Sequence, residues 1–313
     1  MPLLDISLVG EFNLDLLLYG LPVDLPPERE LLANNMALLL GGSPAITAHN
    51  LSALGSQVGF LTPAADDLFA ELCLRELAAA RVDVRRVSSP GIGTGVSVLL
   101  DHEGIRRTLT YLGAGTTLRY CDLDLDYLRS ARHFHLSSPF LQTALLDDVP
   151  RLFFELKKAG LTISLDTNDD PYNNWAGPIR EAMQYVDILM PNEREACALA
   201  GVPDIREAMK TLLKYVPLLV VKRGLGGAIA CRAGEEEAVS AAPVRSIDAV
   251  GAGDSFNAGF LHGLVHDWPL RRCLEFGNLA GALSTTAIGG TAAFRDADAM
   301  KAFFEQHAAE TPA

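Results

Sequence analysis

Several patterns are missing from this sequence, and each absence removes a class of function. No GxxxxGK[ST] occurs, so that type of phosphate loop is excluded. There is no GxSxG and no legible Cys-His pattern for nucleophilic catalysis. His262 and His266 stand four apart, but HGLVH lacks the glutamate of HExxH and has no evident third ligand, which speaks against zinc. The five cysteines, Cys73, Cys121, Cys197, Cys231 and Cys273, are odd in number, widely spread and free of any CxxC pair, pointing to a reducing cytoplasm and to thiols serving as small core residues. No apolar stretch is long enough to cross a bilayer, and MPLLDISLVG has no basic leader and reads as a strand, so a soluble protein is expected. Basic side chains are in deficit, 26 against 39 acidic for a net charge of −13, which argues against nucleic acid or an anionic membrane as partner.

A chain of 313 residues with 49% hydrophobic residues can bury a sizeable core; its length fits two domains or one large α/β unit with insertions. From Ala131 onward HFHLSS, LTISLDTN, VDILMPN and LLVVKRG are short apolar runs separated by plausible helices, which predicts a parallel sheet covered on both faces. Ligands in such folds bind beyond the carboxyl ends of the strands, and those ends carry Ser137, Asp166, Asn168, Asn192 and Gly224. VVKRGLGGAIA reads as a strand, a glycine turn and a returning strand; TGVSVLLDHEGIRRTLTYLGAG reads as a hairpin turning near Asp101 to Gly104.

The most informative stretch is DAVGAGDSFNAGF, Asp248 to Phe260. Gly251, Ala252 and Gly253 let the backbone approach a ligand closely, and Ser255 to His266 has a helical pattern with Phe256, Phe260, Leu261, Leu264 and Val265 on one face. A glycine loop at a helix start suits phosphate oxygens. Asp254 either caps that helix or accepts a proton from a hydroxyl attacking a terminal phosphate.

This string resembles the C-terminal signature of the ribokinase-like, or phosphofructokinase-B type, carbohydrate kinases, D-T-T-G-A-G-D-x-F-x-x-G. Asp248, Gly251, Ala252, Gly253, Asp254, Phe256 and Gly259 match, while Ala249 and Val250 replace the threonines. The resemblance implies a three-layer α/β sandwich with a mostly parallel central sheet and a small β-sheet lid, in one domain over 1–313, the lid formed by roughly 12–39 and 92–113. It implies ATP-dependent phosphorylation of a hydroxyl on a sugar or sugar-like substrate, with Asp254 as base, the amides of Gly251, Ala252 and Gly253 as anion hole, and ATP, Mg2+ and a monovalent cation as candidate cofactors. A nucleoside kinase, or a non-catalytic sugar or nucleotide sensor on the same fold, are the alternatives.

Other matches extend along the chain. Gly10, Asn13 and Asp15 fit the family's G-x-x-N-x-D, with Asn13 and Asp15 on the sugar side, although Glu11 stands where a small residue is usual. GGSPAITAHNLSALG resembles the N-terminal signature, implying substrate contact at Gly41, Gly42, Ser43 and Asn50 and hinge motion of the lid; Ile46 replaces the common asparagine. Asp166 with Asn168 resembles a D-x-N segment facing substrate and phosphates. Asn192 and Glu195 have the N-x-x-E spacing near the magnesium network, with Glu195 acting through water and Asp248 as a further metal candidate; a capped helix start gives the same pattern. Lys222, Gly224 and Gly226 are implied on the nucleotide side, as is Asn278, although EFGNLAGALS also suits tight helix packing. A homodimer joined through the lid is what the resemblance implies for assembly.

Overall fold

The structure, a computed structural model of the chain, describes residues 3–102, 105–232 and 234–308. Strand β1 (Leu4–Val9) leads through Gly10, Glu11 and Phe12 into β2 (Asn13–Tyr19) and β3 (Asn35–Gly41), followed by α1 (Ser43–Ala53), β4 (Val58–Ala64), α2 (Leu68–Ala79) and β5 (Asp83–Ser88). Strands β6 (Gly95–His102) and β7 (Ile105–Tyr111) form the hairpin; Glu103 and Gly104 of its expected turn lie outside the described residues. Strand–helix alternation then takes over with α3 (Leu125–Arg129), β8 (Ala131–Ser137), α4 (Val149–Lys158), β9 (Thr162–Asp166), α5 (Pro178–Ala182), β10 (Ile188–Leu189), α6 (Glu193–Ala200), α7 (Ile205–Leu212) and β11 (Leu218–Lys222). The chain finishes with β12 (Ala228–Arg232), β13 (Glu235–Val239), α8 (Ala252–Val265), α9 (Leu270–Ser284) and α10 (Ala297–Ala308).

Nine strands make the main sheet in the order β13-β12-β11-β10-β9-β8-β1-β4-β5. All neighbours are parallel except at β12, which runs antiparallel to both its partners because the short turn at 224–226 sends the chain straight back. Parallel strands buried on both faces need apolar residues on both, and the sheet separates two cores accordingly. Phe134, Leu136, Ile163, Leu165 and Val221 pack with Leu152, Phe153, Leu156 and Leu212 on one side; Ile6, Leu8, Phe60 and Val220 pack with Ala45, Leu51, Phe260 and Leu274 on the other. On that second side β8 and β9 break the rule. His133, His135 and Ser137 of β8 stand beside Thr162, Ser164 and Asp166 of β9. His133 bridges Thr162 Oγ1 and Ser164 Oγ at 2.7 Å each, and His135 Nδ1 meets the same Ser164 hydroxyl at 2.7 Å. Burial pushes both imidazoles down to about 3, so both are neutral. This polar seam ends at Asp166, the edge where ligands of such folds bind.

A second sheet of four strands, β3-β2-β6-β7, stands beyond that edge, with β2 antiparallel to β3 and parallel to β6. Its register puts Asn13 opposite Gly41 and Gly95. A Cβ on Gly41 would collide with the Asp15 carboxylate and one on Gly95 with the Asn13 carboxamide, so the glycines leave room for the two polar side chains. Farther along the same face Leu17 and Leu99 pack on Val250. The opposite face leaves Met36, Leu38, Leu109 and Tyr111 exposed.

Helices α8 and α9 cross closely because small residues line the contact. A Cβ on Gly259 would lie 2.7 Å from Ala280 Cβ and from the Phe276 carbonyl, and one on Gly277 2.9 Å from Phe256 Cε2. Overpacking at Gly259→Ala, ~1–3 kcal/mol, should outweigh the roughly 1 kcal/mol gained in helix propensity. A lower urea midpoint is expected, and an unchanged one would mean that the two helices separate freely.

Candidate active site

Helix α8 starts at Ala252 and not at Ser255, where the large apolar residues begin, because Gly251 turns the chain at φ 70° and serves as the N-cap. A Cβ there would stand 2.5 Å from Gly290 Cα, so glycine is required both for the angle and for the approach. Asp254 thereby becomes the third helical residue, in the turn whose amides lack acceptors inside the helix. The Ala252 amide turns back to the Ala249 carbonyl at 3.4 Å.

Two hydrogen-bonded groups converge on this turn. In the first, Asn168 Nδ2 donates to Ser43 Oγ at 2.6 Å and to Ser138 Oγ at 3.0 Å, and Ser43 Oγ donates to Asp254 Oδ1. Asn168 and Ser138 both sit in the left-handed region, at φ 50° and 52°. Non-glycine residues are uncommon there, and such strain clusters at functional sites. Burial, with the nearby Asp166 charge, pushes Asp254 up to about 6, opposed by the Ser43 and Asn168 hydrogen bonds and by Lys222.

In the second group, Asp166 at the end of β9 is fully buried and receives Lys222 Nζ and Asn257 Nδ2, both at 2.5 Å. The ammonium lies 3.7 Å from where a Cβ on Gly253 would be, placing Lys222 at the first turn of α8. Burial pulls the Lys222 pKa down, but Asp166 and Glu195 outweigh it and the net shift is upward, so the ammonium is charged. Arg223, its sequence neighbour, is half out in solvent on Glu193. Asn257 was not legible as a site residue; its one signal is its place three residues after Asp254, on the same helix face.

Asn192 and Glu195 form a reciprocal cap of α6: Asn192 Oδ1 accepts from the Glu195 amide, and Glu195 accepts from the Asn192 amide, both at 2.9 Å, and from Asn192 Nδ2 at 2.5 Å. Burial and the Asp166 charge push Glu195 up to about 7. No group of three or more acidic, histidine or cysteine side chains among the described residues could cage a metal. Buried, crowded carboxylates fit a cation that keeps most of its own waters.

Three residues expected at ligands also have partners within the protein. Asn50, expected at the substrate, is fully buried and donates to Ser255 Oγ and the Gly290 carbonyl at 2.9 Å each, tying α1 to α8 and to the loop beyond α9. Asp248, expected at the metal, accepts from the Val250 amide at 3.1 Å and the Gly289 amide at 2.9 Å, which fastens the two glycine loops together. Asn278, expected at the nucleotide, donates to the Val239 and Ser240 carbonyls at 3.1 Å and anchors the end of β13. Gly224 and Gly226 lie in the turn between β11 and β12, and Gly42 caps α1 at φ 88° beside Ser43.

A carboxyl at a helix start, an ammonium beside the same turn and a second carboxyl at the sheet edge stand together at the ends of the strands. The family model for pfkB carbohydrate kinases matches residues 4–297. The chain belongs to the pfkB family. This pfkB kinase is 26% identical over 304 residues to the 5-dehydro-2-deoxygluconokinase of Clostridium perfringens, covering 89% of this chain and 87% of the relative. It is 30% identical over 289 residues to the fructokinase of Klebsiella pneumoniae, covering 87% and 92%. A solved E. coli ribokinase II in complex with ATP and Mg2+ superposes with a TM-score of 0.86 at 25% identity, over 97% of this chain and 100% of that one. The ribokinase-like fold is thus borne out, and the protein is an ATP-dependent carbohydrate kinase, a phosphotransferase with an alcohol group as acceptor.

Glu11 was noticed in the sequence only as a departure from the family pattern. Its side chain is 1% exposed, neither carboxylate oxygen has a hydrogen-bond partner beyond its own residue, and burial raises it to about 8 against the pull of its own backbone amide, with some push from Asp254. Between about pH 4.5 and 8 the unfolded chain has released this proton while the folded chain keeps it. Stability therefore falls as pH rises through that window, by about 5 kcal/mol in all, and levels off above it. Glu11→Gln should remove this component, so that its melting temperature falls between pH 5 and pH 8 by roughly 5 °C less than that of the wild type. Equal falls would show that Glu11 is ionised in the folded protein.

Proposed function

We propose that Asp254 is the base of the transfer reaction. The observation that carries this reading is its position: third in α8, behind the Gly251 turn, hydrogen-bonded by Ser43 and close to Lys222. The acceptor hydroxyl gives its proton to the Asp254 carboxylate while its oxygen bonds to the γ-phosphorus; the bond from that phosphorus to the bridging oxygen breaks, and the electron pair leaves on ADP. The amides of Gly251, Ala252 and Gly253 at the start of α8, together with Lys222, take up charge on the transferred oxygens. Magnesium, which neutralises phosphate charge when bound, fits beside Glu195 through water.

Asn13, Asp15, Gly42 and Ser43 border the acceptor side, and the four-stranded sheet acts as a lid over it that excludes water. Gly224 and Gly226 border the nucleotide side with Lys222. The five thiols are free, which supports a cytoplasmic setting. The apolar outer face of the lid, with Met36, Leu38, Leu109 and Tyr111 exposed, supports a homodimer joined there. Sedimentation should give twice the chain mass and Leu38→Lys/Leu109→Lys the single mass; a monomeric wild type removes this assembly.

Asp254→Asn should bind ATP normally and lose at least a hundredfold in kcat, whereas Asp15→Ala should raise the acceptor KM tenfold or more and leave that for ATP unchanged. In the wild type kcat/KM should climb with pH through about 6, as Asp254 ionises, and flatten above 7. Turnover by Asp254→Asn at the wild-type rate sinks the base assignment.

A further inference from the structure

Segments far apart in the chain bring polar side chains together at Asp254. Ser43 opens α1, Ser138 follows β8, Asn168 stands two residues beyond β9, and Asp254 lies in the first turn of α8. Ser43 Oγ accepts from Asn168 Nδ2 at 2.6 Å and donates to Asp254 Oδ1, so the single hydroxyl hydrogen is directed at the carboxyl. Asn168 also donates to Ser138 Oγ at 3.0 Å and bonds to Asp254 itself.

Two features set these contacts apart from ordinary packing. Serine at a helix start commonly bonds to nearby backbone, whereas the Ser43 hydroxyl is directed to a carboxyl 211 positions away. It is not needed to hold α1 on α8, because Asn50 already joins the two helices through Ser255 at 2.9 Å. Ser138 and Asn168, for their part, are held at φ 52° and 50°. Glycine would fill both positions with less strain, so what their side chains contribute lies in their bonds, and those bonds lead to Ser43 and Asp254.

We propose that Ser43 and Asn168 are positioning residues for the base, which together fix the direction of the Asp254 carboxyl toward the incoming hydroxyl. This rests on the reading of Asp254 as base given above. A donor to a carboxyl also favours its charged form, and here both donors act with Lys222 of β11 against burial and against the Asp166 charge at the end of β9. Glu11, beyond β1, is the further carboxyl in reach of Asp254. On this assignment the Ser43 hydroxyl serves Asp254 and not the acceptor, so its loss slows turnover and leaves acceptor binding in place.

The test follows the Asp254 carboxyl directly. In the full chain carrying 13C at its aspartate carboxyls, the resonance lost in Asp254→Asn should titrate near 6 in the wild type. It should move up by about half a pH unit or more in Ser43→Ala and in Asn168→Gly, which removes the side chain without backbone strain, and return in Ser43→Thr, which keeps the hydroxyl. Turnover is then measured with ATP, Mg2+ and the fastest acceptor among fructose, ribose, 2-keto-3-deoxygluconate and adenosine. The rise of kcat/KM with pH should shift with the titration, and kcat should fall about tenfold while the acceptor KM stays within about twofold of the wild type. A titration unmoved in both Ser43→Ala and Asn168→Gly overturns the proposal, and so does a Ser43→Ala that raises the acceptor KM alone, which would make Ser43 a substrate contact. Full turnover by Asp254→Asn overturns the base reading and this inference with it, whereas an inactive Asp254→Asn beside fully active Ser43→Ala and Asn168→Gly overturns the positioning role alone.

Discussion

One buried ammonium holds the site together. Lys222 is bonded to Asp166 and acts on Glu195 and Asp254, so one ammonium serves three carboxyls, with Arg194 adding its charge at Glu195. Removing the ammonium would leave the buried Asp166 side chain with only Asn257 and the Asn168 amide, and breaking a buried pair by removing one partner is strongly destabilising. Burial, with the Asp166 charge beside them, pushes Asp254 up to about 6 and Glu195 up to about 7. For the base role proposed for Asp254, a pKa near the working pH is what proton removal from a hydroxyl requires.

The geometry around that charge is set by backbone that only certain residues allow. Gly251 turns the chain into α8, Gly42 turns it into α1, and two residues that are not glycine, Ser138 and Asn168, are held at positive φ on neighbouring strand ends. Their side chains meet, and Asn168 in turn supports Ser43 against Asp254. Strain in the main chain is thereby converted into a fixed direction for the carboxylate.

What was legible in the sequence was local. The glycines before Asp254, the cap at Asn192, the strand rhythm after Ala131 and the returning strand after Lys222 each depend on residues within a few positions of one another, and each is present. What was not legible depended on distant partners. Asn50 finds the Gly290 carbonyl 240 positions away and Asp248 the Gly289 amide 41 positions away, contacts that motif membership does not reveal. Lys222 and Arg223 are adjacent and chemically alike in sequence; only the pleat, which turns one inward to Asp166 and the other out to Glu193, separates them. Glu11 was invisible as a special group because burial of a carboxyl cannot be read from its neighbours in the chain.

The clamp made by Asp248 has a consequence for how this architecture diversifies. Bound to the amides of Val250 and Gly289, and joined by the Asn50 link between α1, α8 and Gly290, the loops before α8 and after α9 are laced together. Residues 11 to 15, proposed above on the acceptor side, form a separate strip leading from β1 into β2. On that assignment, exchanging side chains on the strip would alter the choice of acceptor while the laced loops continue unaltered.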